Sequence, residues 1–158
     1  MKRSKTLWLL LLFFTWAALK SAGSLYGAES VTDYGLLKSI GLGVLFYIIN
    51  VPLMVGEGLT AFLLFAKRTH AYVVGCVVII AECVNGLFTS AIAALNPDTA
   101  KSLYVASRTA RGMTERPDSQ LDFMLSPMGI ALMALAYLAW WAIVLYYIRR
   151  TRPELAQQ

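Results

Sequence analysis

Residues that carry chemistry are scarce in this chain of 158. It has two cysteines and one histidine, and only 15% of its residues are charged. Cys76 and Cys83 stand seven residues apart in one apolar block. On a helix their Cα atoms lie about 10.5 Å apart, too far for a disulfide. A metal site needs more ligands than these, because the lone His70 stands in a separate basic turn. No metal and no cofactor is therefore expected. The chain also lacks a Gly-rich phosphate loop, a His-Glu-x-x-His pair, a Cys-x-x-Cys pair and a nucleophile elbow. That leaves little for catalysis, and a non-enzymatic role is expected.

What the chain has instead is apolar length. Hydrophobic residues make up 58% of it and fall in long blocks, too many for an ordinary soluble domain. About 20 apolar residues cross a bilayer as a helix. Four blocks reach or approach that length: 7–27, 39–66, 71–95 and 127–148. The fold expected is all-α, a polytopic membrane protein with four transmembrane helices in one antiparallel bundle. The turn Lys67-Arg68-Thr69-His70 is so short that the second and third helices must lie side by side. Residues 28–38 read as a short outer connection. An outer loop over 96–126 follows Asn96-Pro97-Asp98 and carries a short helix over 99–111, with Leu103, Ala106 and Ala110 on one side. Gly112 to Asp122 reads as a polar loop. The first block has the basic start and apolar core of a signal peptide, but Lys20 and Tyr26 interrupt a cleavage site. It is read as a first span, with Lys20 snorkelling to the headgroups.

The formal charge of +5 is a topology signal. Lys2, Arg3, Lys5, Lys67, Arg68, Arg149, Arg150 and Arg152 lie at helix ends on one side, with Glu154 as their only acid. On the other side Lys20, Lys38, Lys101, Arg108, Arg111 and Arg116 are balanced by Glu29, Asp33, Asp98, Glu115, Asp118 and Asp122. The positive-inside rule then places both termini in the cytoplasm. The anchors Lys67, Arg68, Arg149, Arg150 and Arg152 suit anionic lipids, and nucleic acid is not expected as a partner. Trp140-Trp141 and Tyr146-Tyr147 add an aromatic belt.

The most informative residues are polar ones inside the apolar blocks. Counted from the basic turn, Glu57 and Glu82 come within about 3 Å of the same height, near mid-membrane. Asn50 and Asn85 match likewise, higher up. Asn50 shares a helix face with Glu57, and Glu82 shares one with Asn85 and Thr89. Gly75, Gly86 and Ala93 beside the second stripe admit a close neighbour. Tyr137 of the fourth helix reaches the same level and offers a hydroxyl. Pro52, Gly56 and Gly58 mark a kink or hinge. Two facing carboxyls cannot both ionise cheaply, so they share a proton or a cation, brace the bundle as a neutral clasp, or face a partner.

Leu7-Trp8-Leu9-Leu10, Leu64-Phe65-Ala66-Lys67-Arg68-Thr69, and Trp140 through Arg150-Thr151-Arg152 resemble the bacterial four-span membrane family catalogued as domain of unknown function 2569. The resemblance implies a bacterial inner-membrane protein and assigns no catalytic residue. The expected role is an accessory or interaction subunit with a buried polar seam, joined to a membrane partner or to its own copies. The alternative is a small proton- or cation-coupled transporter or exporter using Glu57 and Glu82.

Overall fold

The computed structural model describes residues 4–114 and 116–156. Lys2, Arg3 and Glu115, which enter the charge pattern, lie outside the described residues. Among those described, seven α-helices and one 3-10 turn form, and no strand. The helices are α1 (Lys5–Tyr26), α2 (Thr32–Ser39), α3 (Gly43–Phe65), α4 (His70–Leu95), α5 (Pro97–Ala110), α6 (Asp118–Leu125) and α7 (Pro127–Ala156). α1, α3, α4 and α7 are each long and apolar enough to cross a membrane. The chain is an all-α, four-span membrane bundle with three short helices at one end.

Its surface is inverted relative to a soluble protein. Val44, Ile48, Val51, Val55, Leu59 and Phe62 recur every three or four residues along α3 and are exposed. Val73, Val77, Ile80, Val84 and Leu87 do the same on α4. These stripes suit lipid, which is as apolar as the side chains themselves. The opposite face of α3 carries Phe46, Asn50, Leu53, Glu57, Thr60 and Leu64, so polar groups turn inward.

The four long helices form a ring in the order α1, α3, α4, α7. The seam between α7 and α1 is the sparsest of the four. Small residues set the close approaches. A side chain on Gly56 would meet Val78, one on Gly75 would collide with Ile148, and one on Gly86 would collide with the Tyr137 ring. Pro52 lies on the exposed side of α3, and the helix runs through it unbroken. Gly58 faces Ala18 of α1.

The basic end is tied shut. Ser4 caps α1 through its Oγ, which accepts from Leu7 N at 3.2 Å. Ser4 N in turn donates to Glu154 Oε1 at 3.0 Å, joining α1 to α7. The Arg152 guanidinium lies 5.2 Å from the centre of the Tyr72 ring, joining α7 to α4. Lys67 closes α3 in the left-handed region at φ 51°. Arg68 N then donates to Leu63 O at 2.8 Å and Lys67 N to Leu64 O at 3.2 Å, the pairing of a Schellman cap.

Several boundaries differ from the sequence reading. α7 runs eight residues past position 148, to Ala156, because Ile148 and Leu155 are both buried in the core that also holds Leu7. α3 starts at Gly43 instead of 39, because Gly41 at φ 79° turns the chain there. Residues 28–38, read as a connection, form the 3-10 turn Ala28–Ser30 and most of α2. Leu36 and Leu37 of α2 bury themselves with Phe46 and Ile92 at the far ends of α3 and α4. The buried face of α5 is Ala100, Leu103 and Ser107; Ala106 and Ala110 are exposed. Leu103 packs on Gly35 of α2, which fixes that rotation. Within the expected polar loop, Asp118–Leu125 is helical, and Lys101 of α5 reaches Asp122 at 2.7 Å and Asp118 at 3.4 Å.

Candidate functional site

Follow the inward face of each long helix and its chemistry changes midway. α1 presents Leu7, Leu10, Phe14 and Ala17, then Ser21 and Ser24. α4 presents Ala71, Gly75, Val78 and Ile79, then Glu82, Asn85 and Thr89. α7, read from its other end, presents Leu155, Ile148, Val144 and Trp141, then Tyr137. Near the basic turn these faces interlock in one continuous apolar core. Beyond it they stand apart around a cavity of about 590 Å³.

An aromatic layer separates the two zones. Phe13 packs on Phe14, Trp140 and Trp141 with ring centres 5.3, 6.0 and 5.8 Å apart, and Trp141 packs on Tyr137 at 6.1 Å. Trp141 Nε1 is the one buried side-chain polar atom among the described residues without a hydrogen-bond partner in good geometry. Such a donor carries a desolvation cost of about 1–3 kcal/mol.

The predicted seam residues gather on this cavity. Asn50, Glu57, Glu82, Asn85, Thr89 and Tyr137 all line it. The partners differ from those a direct clasp would use. Ser21 of α1 donates to Glu57 Oε2 at 2.7 Å. Tyr137 of α7 donates to Glu82, reaching its backbone O at 3.0 Å and its Oε2 at 3.2 Å. Asn50 Nδ2 donates to Phe46 O at 2.8 Å, and Thr89 Oγ1 to Gly86 O at 3.2 Å, both within their own helices. Among the described residues no hydrogen bond joins Glu57 to Glu82 or Asn50 to Asn85. Glu57 is held from α1 and Glu82 from α7, while Asn85 lines the cavity. Glu57 is only 3% exposed and lines the cavity.

Two charged residues outside the seam also belong to the site. Lys20, exposed on α1, also lines the cavity. Its ammonium lies 5.6 Å from the centre of the Trp16 ring. Among the described residues it forms no ion pair. Asp33 enters from α2, which residues 28–38 as a plain connection would not supply. Its side chain is exposed toward the open cavity, yet the protein atoms gathered around it partly desolvate the carboxyl and raise it above its ordinary range, with Lys20 acting against the shift.

The anchors Lys67, Arg68, Arg149, Arg150 and Arg152 all lie at the opposite end, away from the cavity. Cys76 and Cys83 are free thiols. Among the described residues no group of three or more His, Cys, Asp or Glu is placed to hold a metal. No protein-family model, curated protein or solved structure matches the chain.

Proposed function

We propose that this chain is a small, non-enzymatic transporter of a bacterial inner membrane, with both termini cytoplasmic, that takes up a proton or a cation at Glu57 and Glu82. One observation carries the reading: a cavity reaches both carboxyls. A neutral clasp needs direct bonds and tight packing between the two polar stripes, and a partner-facing glutamate needs a place on the lipid side. Here both acids line one hollow, and each has a hydrogen-bond donor from a different helix. The basic end, sealed by the apolar core and the Ser4–Glu154 bond, faces the cytoplasm by the positive-inside rule. The cavity then lies in the outer half, in a state closed toward the cytoplasm.

Proteoliposomes carrying a pH-sensitive dye test this. An imposed cation gradient should drive proton movement in the native protein and none in the Glu57→Gln, Glu82→Gln double variant. No cation- or proton-linked signal in the native protein, together with loss of a co-purifying membrane protein from the double variant, would instead favour the accessory-subunit role.

A further inference from the structure

The size and walls of the cavity say more about its occupant than the two acids do. A proton or a bare ion needs a few ligands in a tight shell. About 590 Å³ is room for an organic molecule. The polar lining holds three carboxyl groups, from Asp33, Glu57 and Glu82, against one ammonium, that of Lys20. Glu57 is nearly fully buried and lines the cavity, with Ser21 as its hydrogen-bond donor. Aromatic rings supply much of the remaining wall. Trp16, Trp140 and Trp141 all face the space, and Lys20 already places an ammonium over Trp16 at cation–π distance.

The mouth is informative too. Trp16 is 60% exposed and Trp140 51% exposed, although both line the cavity. They stand on α1 and α7, across the sparsest seam of the ring. Phe13 meets Trp140 and Trp141 at the base of that seam, and above it the two helices are parted by the cavity. The opening is thus flanked by large apolar side chains at a depth where the outer surface of the bundle meets lipid.

We propose that the cavity binds a lipophilic organic cation, its ammonium-type charge at Glu57 and Glu82 and its apolar body against Trp16 and Trp140 at the α1–α7 seam. This rests on the reading of the cavity as a cation site and narrows it to one chemical class. The Lys20 ammonium over Trp16 competes with the ligand for that ring. A carboxylate supplies charge neutralisation, and the indole faces supply attraction that is stronger away from water.

Two probes of one shape and opposite charge test the proposal on the native protein in nanodiscs. Tetraphenylphosphonium should bind saturably, one per chain, and quench indole fluorescence, whereas tetraphenylborate should show only lipid partitioning. Tetramethylammonium, which has the charge without the apolar body, should bind about tenfold or more weakly. Glu57→Gln and Trp140→Ala should each weaken tetraphenylphosphonium by about tenfold. Equal saturable binding of the borate would overturn the proposal, because the site would then read shape alone. Absence of saturable tetraphenylphosphonium binding, while sodium or proton uptake persists, would overturn it and leave the broader cation-site reading standing. Absence of all three would remove both. The probe comparison uses the unaltered chain, so it holds even where a variant fails to fold.

Discussion

The two halves of this bundle are built from the same four helices and do opposite things. Near the basic turn, Leu7, Leu10, Phe14, Leu64, Ile79 and Ile148 leave no room between the helices. Two turns further along, the same faces carry Ser21, Glu57, Glu82 and Asn85 around open space. In a membrane, apolar side chains gain little from leaving lipid for a protein core, so the packed half is held by close fit and by its cross-ties. The hollow half gives up that fit. It is held from outside by α2, whose Leu36 and Leu37 clamp the far ends of α3 and α4, and from within by Ser21–Glu57 and Tyr137–Glu82. One half is a hinge-free base, and the other is a cup.

Substitutions should sort by half. The largest expected effect is on activity in the cup: the Glu57→Gln, Glu82→Gln double variant should abolish cation-linked proton movement, yet melt within a few degrees of the native protein. Loss of folding in that variant would make the acids bracing elements and erase the distinction between the halves. Next comes the base. Phe14→Ala should cost about 2–4 kcal/mol through the void it leaves, measured by denaturant unfolding in mixed micelles, whereas Trp140→Ala at the mouth should cost less than about 1 kcal/mol. Gly86→Ala tests the border, because its methyl group would meet the Tyr137 ring. It should cost about 1–3 kcal/mol and loosen Tyr137 from Glu82, visible as weaker cation binding. Asp33→Asn should have the smallest effect. Partial desolvation raises the Asp33 carboxyl from its ordinary 3.8, so ionising it works slightly against the folded state, an effect that its exposure to solvent screens. That penalty is absent below its ordinary value, grows as pH rises, and is complete above the folded value. The variant should therefore melt slightly higher than the native protein at pH about 7 and alike at pH about 3.

The four spans were legible because apolar length is a strong signal, and so were the polar stripes, because a seven-residue spacing holds whatever the neighbours are. Depth counting from the four-residue turn brings Glu57 and Glu82 to one level, counting from Arg149 brings Tyr137 to it, and the structure places Tyr137 on Glu82. What spacing does not encode is the order of helices around the ring. It could not reveal that α1, and not α4, supplies the donor to Glu57. Ser21 and Ser24 lay unmarked beside Lys20, in a block whose basic start drew attention to targeting. Asp33 was missed because eight residues of α2 carry too little periodicity to stand out, although Leu36-Leu37 beside Gly35 is the signal that could have found it.

The contrast between the halves can be measured directly on α4. Val78 and Asn85 lie seven residues apart on one face of that helix, the first buried in the base and the second on the cavity. In a Cys76→Ala, Cys83→Ala background, Val78→Cys and Asn85→Cys would each be treated with a small membrane-impermeant methanethiosulfonate, added separately to the two sides. Asn85→Cys should react from the side opposite the termini, at least about tenfold faster than Val78→Cys from either side. Equal rates at the two positions, or reaction of Asn85→Cys only from the side of the termini, would contradict a bundle closed at its basic end and open beyond it.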